Sequence, residues 1–299
     1  MTDSRTLAYG ADSDYGLLRD VLLCQPDHFR WFPANSVAEE TLRRGTSFDL
    51  QLAQRQHREM VQALEAAGVK CHFAAPDPNL PYQVYTRDPD VMTPWGVLVT
   101  QMFRPQRVGE VAPIVRFYQG NGIPVWNWAT AGSIEGGDIH IVRPGTLLIG
   151  YSGDRTKEAS ARQVAGWFEG QGWQVRLCSL QAESVSLSLP DVSLPRNNLL
   201  LALQALHWLA LLPSAEACAA TLGALRMPGR MDRRWLHRDG KSRQLCLDVG
   251  HNPHAAAYLA AQLAERPQSR CAVFGVLADK DLDGILDQLK GSFEHWYLA

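Results

Sequence analysis

Three short polar clusters in the first half of the chain contain residue types that can bind a planar cation. A guanidinium group is planar and positively charged, and carboxylates that accept its paired N–H donors hold it best. Asp88 and Glu135 are therefore candidate ligands of such a group, and Arg155 or Arg107 is a candidate partner for a carboxylate on the same molecule. The clusters are Tyr85-Thr86-Arg87-Asp88-Pro89, Ile134-Glu135-Gly136-Gly137-Asp138 and Ile149-Gly150-Tyr151-Ser152-Gly153-Asp154-Arg155-Thr156.

The clusters alternate with units that repeat one plan, in which an amphipathic helix ends at a glycine and a short strand follows. Gly68, Gly122 and Gly172 end the predicted helices and recur at intervals of about 50 residues. Glycine suits this position because the chain there often needs a left-handed conformation. The pattern predicts helices over 48–67, 108–119 and 157–169, strands over 69–73, 123–126 and 173–177, and hairpins over 90–100 and 139–149.

The order and spacing of the three clusters resemble the guanidine-modifying superfamily of dimethylarginine dimethylaminohydrolases and arginine deiminases, over residues 8 to about 178. The resemblance implies that Asp88 and Glu135 bind a guanidine group and that Asp138 shapes the same loop. It implies that Arg155 binds the substrate carboxylate, with Arg107 as a second candidate. It also implies an α/β-propeller, of which this chain holds about three of five units.

The same resemblance leads us to expect an incomplete catalytic site. That superfamily takes its base from a His-x-Asp motif on the next unit and its nucleophile from a cysteine in a glycine-rich loop, and we expect neither here. His207 lies in an apolar helical run, which predicts packing in the core. Cys246 and Cys271 lie in strand-like apolar runs, which predict buried and inert thiols.

The second half follows another pattern, in which strands alternate with helices. Its clearest motif is Leu247-Asp248-Val249-Gly250-His251-Asn252-Pro253-His254, where a predicted strand ends at Asp248 and a helix begins at Pro253. Such strand-to-helix junctions of parallel sheets bind nucleotides, and free N–H groups at the helix start suit anions. The pattern predicts helices over 198–212, 216–226, 253–265 and 281–290, a hairpin around Asp239-Gly240, and strands at 271–274 and 295–298.

This half resembles the C-terminal domain of bifunctional folylpolyglutamate synthase/dihydrofolate synthase, over residues 185 to 299. The resemblance implies that Asn198, Arg230 and Asp248 contact ATP, with Arg230 against phosphate and Asp248 at the ribose. Gly240-Lys241-Ser242 imitates the end of a phosphate-binding loop, but Trp235 stands where that loop needs a glycine. Since that family keeps its phosphate loop and magnesium ligands in another domain, we expect weak ATP binding and no magnesium site.

Composition and charge bear on which partners, cellular location and metal sites to expect. The net charge of -2 gives no reason to expect a nucleic-acid partner, and no apolar run is long enough to span a membrane. The start of the chain has no signal-peptide pattern, and the six cysteines form no CxxC pair, so we expect reduced thiols and a cytoplasmic location. His251 and His254 alone do not make a metal site, and we predict none.

These observations predict an α/β protein in three parts: a partial α/β-propeller over 1–178, a junction over 179–193, and a truncated Rossmann-like, doubly wound domain over 194–299. We interpret the chain as a fusion of two incomplete enzyme fragments that handle arginine-like and ATP- or folate-like small molecules. We predict that the chain is inactive. The alternative is hydrolase or ATP-dependent glutamate ligase activity retained through a partner.

Overall fold

The computed structural model describes residues 7–33, 36–43, 45, 48–179, 196–225, 227–265, 268–276 and 280–298. The fold is mixed α/β, as predicted, and it divides into two compact units. Unit 1 comprises Met1–Trp31 and Phe48–Ser184, and unit 2 comprises Phe32–Ser47 and Val185–Ala299. No described helix combines the length and apolar character that crossing a membrane requires. Residues 180–193 of the predicted junction lie outside the described residues.

Unit 1 contains two three-stranded sheets built on the same plan, together with a two-stranded parallel sheet. In each three-stranded sheet an antiparallel hairpin is followed by a helix and then by a strand that pairs parallel to the second hairpin strand. The structure therefore confirms the repeated helix-and-strand pattern and both hairpins. The elements are β1 (Asp20–Leu23), α2 (Leu50–Ala66), β2 (Lys70–Phe73), β3 (Asp90–Thr93), β4 (Gly96–Val99), α3 (Val111–Gly120), β5 (Val125–Trp128), β6 (Ile139–Arg143), β7 (Thr146–Gly150), α4 (Glu158–Gly170) and β8 (Gln174–Cys178).

Three features of unit 1 differ from the prediction. Strand β1 was not predicted, and it pairs in parallel with β2. The helix predicted from residue 108 begins instead with a 3₁₀ segment, Pro105–Glu110, which then continues into α3. Strand β5 begins two residues later than predicted.

The glycines of the repeat have the expected conformation. Gly68, Gly122 and Gly172 follow the ends of α2, α3 and α4, with φ angles of 83°, 71° and 81°. These positive φ values are accessible to glycine without steric cost. Each helix can therefore end sharply and let its following strand return to the sheet.

The core of unit 1 joins the two three-stranded sheets through aromatic side chains. Phe168 of α4 is fully buried, and its ring centroid lies 5.0 Å from that of Trp126 and 5.3 Å from that of Trp173. Trp95 stacks on Trp126 at 4.7 Å. These rings belong to the β3–β4 turn, β5, α4 and the residue before β8, so they pack these elements against one another.

A polar pair lies at a second apolar cluster of unit 1, to which Tyr118 belongs. The Tyr118 hydroxyl donates a hydrogen bond to Oδ2 of Asp90 at 2.7 Å. Burial raises the pKa of Asp90 to about 7, although the Tyr118 hydrogen bond and the charge of Arg87 oppose the shift. The pair anchors α3 to the first residue of β3, immediately after the cluster that contains Asp88.

The described residues of unit 2 form one hairpin and one two-stranded parallel sheet. Strands β9 and β10 pair around Asp239-Gly240, as predicted, and both turn residues have positive φ angles, 50° and 69°. Strands β11 and β12 are parallel, and helices α7 and α8 pack beside them through a small apolar core. The elements are α1 (Ser36–Arg43), α5 (Arg196–Trp208), α6 (Ala215–Ala224), β9 (Asp232–Arg238), β10 (Lys241–Leu247), α7 (Pro253–Ala264), β11 (Cys271–Phe274), α8 (Leu282–Leu289) and β12 (His295–Leu298).

Two sequence expectations fail in unit 2, and a third is not confirmed. Cys246 and Cys271 are exposed, because each lies in a two-stranded sheet. His207 is also exposed, since its helical face does not pack inward. Among the described residues, the β9–β10 hairpin and the β11–β12 pair form separate sheets, so a single doubly wound sheet is not observed.

Candidate functional site

Backbone hydrogen bonds fix the first polar cluster of unit 1. The carbonyl oxygen of Asp88 accepts a hydrogen bond from Oγ1 of Thr100 at 2.7 Å and another from the N–H of Gly136 at 2.8 Å. The first bond ties Asp88 to the chain that leaves β4, and the second ties it to the loop that contains Glu135. The two predicted guanidine ligands therefore lie on directly connected segments.

The second cluster is held from both sides. Gln101 and Ile134 exchange two backbone hydrogen bonds, of 3.2 and 2.9 Å, so the segment before Glu135 pairs with the chain after β4. The N–H of Glu135 donates to Oγ1 of Thr156 at 3.3 Å, and the Thr156 hydroxyl donates to Oδ2 of Asp138 at 2.5 Å. Thr156 thus joins the second cluster to the third, and Asp138 helps to shape this loop.

The Glu135 carboxylate is buried and only partly satisfied. Its side chain is 5% exposed, and Oε2 accepts a hydrogen bond from Nη1 of Arg155 at 3.3 Å. Oε1 accepts none from the residues that the structure describes. A buried carboxylate oxygen without a donor is costly, because it has lost its hydration without gaining a partner. The site therefore retains the capacity to accept one more N–H group.

The Asp88 carboxylate has a firmly held partner. Nη1 of Arg107 donates to Oδ2 of Asp88 at 2.8 Å, and the opposite edge of the guanidinium donates to both carboxylate oxygens of Glu110 at 2.8 to 3.1 Å. The Arg107 side chain is 8% exposed, and its guanidinium lies 5.5 Å from the ring centroid of Tyr85. Arg107 is therefore rigidly placed between two carboxylates.

The charges of this group affect one another. Burial raises the pKa of Glu110, and the hydrogen bonds and charge of Arg107 offset this shift only in part. Burial lowers the pKa of Arg107, but its bonds to Glu110 and Asp88 outweigh that effect and raise the pKa above its usual value. The guanidinium of Arg107 thus stays charged, and it pairs with both Asp88 and Glu110.

The structure brings together five side chains that the sequence singled out: Asp88, Glu135, Asp138, Arg155 and Arg107. It also adds Glu110, which sequence reasoning missed. The available signal was the spacing of Arg107 and Glu110, because residues three apart lie on one face of a helical turn. Whether Arg107 binds a substrate carboxylate stays a prediction, since its donors are already directed at Glu110 and Asp88.

Glycine at position 136 allows these segments to approach one another. A Cβ atom there would lie 2.4 Å from the carbonyl oxygen of Arg87 and 2.7 Å from that of Asp90. Real Cβ contacts are not that short, and both neighbours are backbone atoms. Only glycine fits between the Glu135 loop and the Asp88 loop without moving one of them.

The predicted ATP residues of unit 2 are only partly brought together. Oδ2 of Asp248 accepts the Met231 N–H at 2.8 Å, and Oδ1 accepts the Gly250 N–H at 2.8 Å. Asp248 therefore ties the loop that carries Arg230 to the turn before α7. Asn198 is exposed in the first turn of α5, and among the described residues no hydrogen bond links it to Arg230 or Asp248.

Asp248 and Arg230 are the two predicted nucleotide residues that the structure connects. Each carboxylate oxygen of Asp248 accepts one backbone N–H and keeps a further lone pair for a hydroxyl group. Arg230 is half-buried, and the residue before it, Gly229, accepts a backbone hydrogen bond from Val249 at 2.8 Å. No group of three metal-ligating side chains occurs among the described residues.

One sequence expectation needs correction. A His-x-Asp tripeptide does occur, as His237-Arg238-Asp239. It forms the end of β9 and the hairpin turn in unit 2, and the His237 ring contacts the Ser242 hydroxyl at 2.8 Å. The hairpin therefore determines the conformation of this tripeptide. It is not part of any of the three polar clusters.

Two protein families match separate parts of the chain. The arginine deiminase family matches residues 54–172, and the glutamate ligase domain of Mur ligases matches residues 229–299. The first match contains Asp88, Glu135 and Arg155, and the second contains Arg230 and Asp248.

Curated relatives include proteins of two kinds. An uncharacterized protein of Bacillus subtilis strain 168, YkgA, is 31% identical over 142 residues, which cover 47% of this chain and 48% of that protein. The dihydrofolate synthase/folylpolyglutamate synthase of Escherichia coli K12 is 35% identical over 114 residues, which cover 38% of this chain and 26% of that protein. The chain thus spans about half the length of the first relative and about a quarter of the second.

Solved structures that resemble the chain include two of dimethylarginine dimethylaminohydrolase. One, an adduct with S-methyl-L-thiocitrulline, has 23% sequence identity and a TM-score of 0.47, and the match covers 56% of this chain and 63% of that one. The other, from Pseudomonas aeruginosa in complex with citrulline, has 24% identity and a TM-score of 0.46, with coverage of 56% and 62%.

We expect Gly136→Ala to push the Glu135 loop away from the Asp88 loop and to lower the free energy of unfolding by about 1–3 kcal/mol. The reason is the contact that the new Cβ would make with two carbonyl oxygens. Urea unfolding followed by circular dichroism measures the effect. The matched control is Gly166→Ala in α4, where an added Cβ meets no atom within 4 Å. Equal stability of the two variants would contradict the proposed close approach.

Proposed function

We propose that this two-part chain, whose first part resembles the guanidine-modifying superfamily and whose last part resembles the C-terminal domain of folylpolyglutamate synthase, binds an arginine-like guanidinium ligand in unit 1 without hydrolysing it. The observation that carries the proposal is Oε1 of Glu135, which is buried beside the Asp88 loop and has no donor among the described residues. A ligand guanidinium offers the N–H groups that this oxygen needs.

Each residue of the site has a distinct part in this proposal. Glu135 and Asp88 accept the guanidinium N–H groups, and Arg155 binds the ligand carboxylate. Asp138 fixes the loop through its hydrogen bond with Thr156. Arg107 has its donors on Asp88 and Glu110, which supports a role in orienting Asp88 over direct contact with a ligand carboxylate.

The proposed absence of turnover rests on the thiols of unit 1, none of which has a lowered pKa: burial raises the pKa of Cys71 as well as those of Cys24 and Cys178. Hydrolysis of a guanidine through a covalent intermediate needs an activated thiol or an equivalent group close to the guanidinium carbon. Burial raises the pKa of Cys24 and of Cys178 to about 11, so these two thiols of unit 1 stay protonated near neutral pH. The alternative is hydrolysis of arginine or dimethylarginine through catalytic residues that a partner supplies.

We expect calorimetry to detect L-arginine binding with a dissociation constant of about a millimolar or lower. Glu135→Gln should weaken binding at least about tenfold, because it replaces a charge-assisted acceptor with a neutral amide. A colorimetric citrulline assay should give only the buffer blank with arginine or dimethylarginine. Citrulline production that disappears in Glu135→Gln would refute the absence of turnover, and arginine binding unchanged by Glu135→Gln would refute the site itself.

A second candidate function is weak ATP binding in unit 2. The observation that favours it is the hydrogen-bonded connection of Asp248 to the loop that carries Arg230, next to the start of α7. Arg230 would lie against phosphate, Asp248 at the ribose hydroxyls, and Asn198 at a further part of the nucleotide. The 299 residues contain no complete phosphate-binding loop, which supports weak binding and no magnesium site. The alternative is ATP-dependent addition of glutamate to a folate.

We expect ATP to bind with a dissociation constant of about 0.1 mM or weaker, measured by calorimetry. Arg230→Ala should weaken this binding further through the loss of a phosphate contact, while Arg238→Ala, an exposed residue at the hairpin tip, should leave it unchanged. Micromolar ATP affinity, or glutamate incorporation into a folate substrate, would contradict this account of unit 2.

The proposal extends to architecture and location. The repeated sheets of unit 1 support a partial α/β-propeller of about three units, and the parallel pair β11–β12 with its packed helices supports a Rossmann-like origin for unit 2. All six cysteines are free thiols, which supports a reducing, cytoplasmic location. We also propose that the chain has two domains, over 1–178 and 194–299, joined by a junction over 179–193.

A further inference from the structure

We propose that Arg155 is an exchangeable internal counter-ion of the unit 1 site: it pairs with Glu135 in the free protein and transfers to the carboxylate of an arginine-like ligand when the ligand guanidinium binds. This inference rests on the proposed guanidinium-binding function. It adds a preference for ligands that carry a guanidinium at one end and a carboxylate at the other.

The pair between Arg155 and Glu135 has the features of a replaceable contact. Glu135 is 5% exposed while Arg155 is 54% exposed, and a single 3.3 Å contact joins them. An ion pair whose cation lies in solvent contributes little, because water screens it and the long side chain loses conformational freedom. The Glu135 carboxylate nevertheless needs a cation, because an uncompensated buried charge is costly.

Arg107, in the same unit, differs from Arg155 in that it is buried and held by several hydrogen bonds. It is 8% exposed and directs donors at both Glu110 oxygens and at Asp88, at 2.8 to 3.1 Å. Arg155 makes no side-chain hydrogen bond other than the one to Glu135 among the described residues. Of the two guanidinium groups, only that of Arg155 can leave its carboxylate without breaking a network.

The backbone around Arg155 is fixed, so the side chain can move alone. The Gly153 N–H donates to the Thr156 carbonyl at 3.1 Å, and the Lys157 N–H donates to the Ser133 carbonyl at 2.9 Å. The Thr156 hydroxyl holds Asp138. A rotation of the Arg155 side chain would therefore release Oε2 of Glu135 without unfolding the loop.

In the proposed exchange, Glu135, Arg155 and both the guanidinium and the carboxylate of the ligand have oppositely charged partners. A ligand guanidinium replaces that of Arg155 on Oε2 of Glu135 and also reaches the unpartnered Oε1, which a bidentate group can do. The released Arg155 then pairs with the ligand carboxylate. One internal ion pair is broken and two pairs with the ligand form. A guanidinium ligand without a carboxylate displaces Arg155 but leaves it without a new partner.

The test compares L-arginine with L-argininamide, which differs only at the carboxylate, by calorimetry on the full chain. Arg155→Ala should weaken L-arginine binding about tenfold or more, because a charge-assisted contact is lost. The same substitution should strengthen L-argininamide binding by roughly two- to fivefold, because the internal competitor is gone. Arg155→Lys should restore part of the preference for L-arginine. Arg162→Ala, which removes another exposed arginine of unit 1, should change neither affinity.

The exchange predicts that Arg155→Ala changes the affinities for L-arginine and L-argininamide in opposite directions, and this can be tested. If Arg155→Ala weakens both ligands alike, or leaves L-argininamide unchanged, Arg155 does not compete for Glu135 and the exchange is wrong, while the guanidinium site remains. If neither ligand binds, or if Glu135→Gln changes neither affinity, the proposed function fails and the exchange fails with it. Thermal unfolding of Arg155→Ala close to that of the wild type shows that the exposed substitution leaves the fold intact.

Discussion

Unit 1 gathers more carboxylates around its polar loops than it supplies with permanent cations, and the arrangement of these loops follows from that imbalance. Asp88, Glu110 and Glu135 face two guanidinium groups, those of Arg107 and Arg155. Arg107 is buried and pairs with the first two carboxylates, so its single positive charge offsets only one of their two negative charges. Glu135 depends on a solvent-exposed arginine and retains an oxygen without a donor. Burial without compensation is costly, so a cationic ligand is the most direct source of stabilisation.

The sheets and loops of unit 1 fix the positions of these charged residues, but its described residues supply no buried cation for Glu135. Two sheets of the same plan are joined by the bridge between Gln101 and Ile134, by the contact of Gly136 with Asp88, and by the aromatic core around Phe168. These contacts fix the backbone of the Asp88 and Glu135 loops. Of the two arginines that pair with these carboxylates, Arg155 is the exposed one and makes a single contact. A fixed backbone with one exposed cation suits a site that recognises a ligand by exchange of ion pairs.

The sequence predicted local features better than tertiary contacts. Gly68, Gly122 and Gly172 marked their helix ends because a left-handed residue is a local requirement. Strand β1 was missed because four residues give little periodic signal and the partner strand lies about 50 residues away. The buried state of Cys246 was wrongly predicted, since an apolar run does not reveal whether anything covers its strand. Asp88 and Glu135 were found as candidates, but no local pattern shows that Arg107 would be locked onto Asp88 and Arg155 left exposed.

The most direct test of this account is a crystal structure of the chain with L-arginine bound. The account predicts that the ligand guanidinium lies within about 2.7–3.2 Å of Oε1 of Glu135 and contacts Asp88, with the Arg155 guanidinium turned to the ligand carboxylate. A ligand bound away from Glu135, or one bound while the pair between Arg155 and Glu135 stays intact, would contradict it.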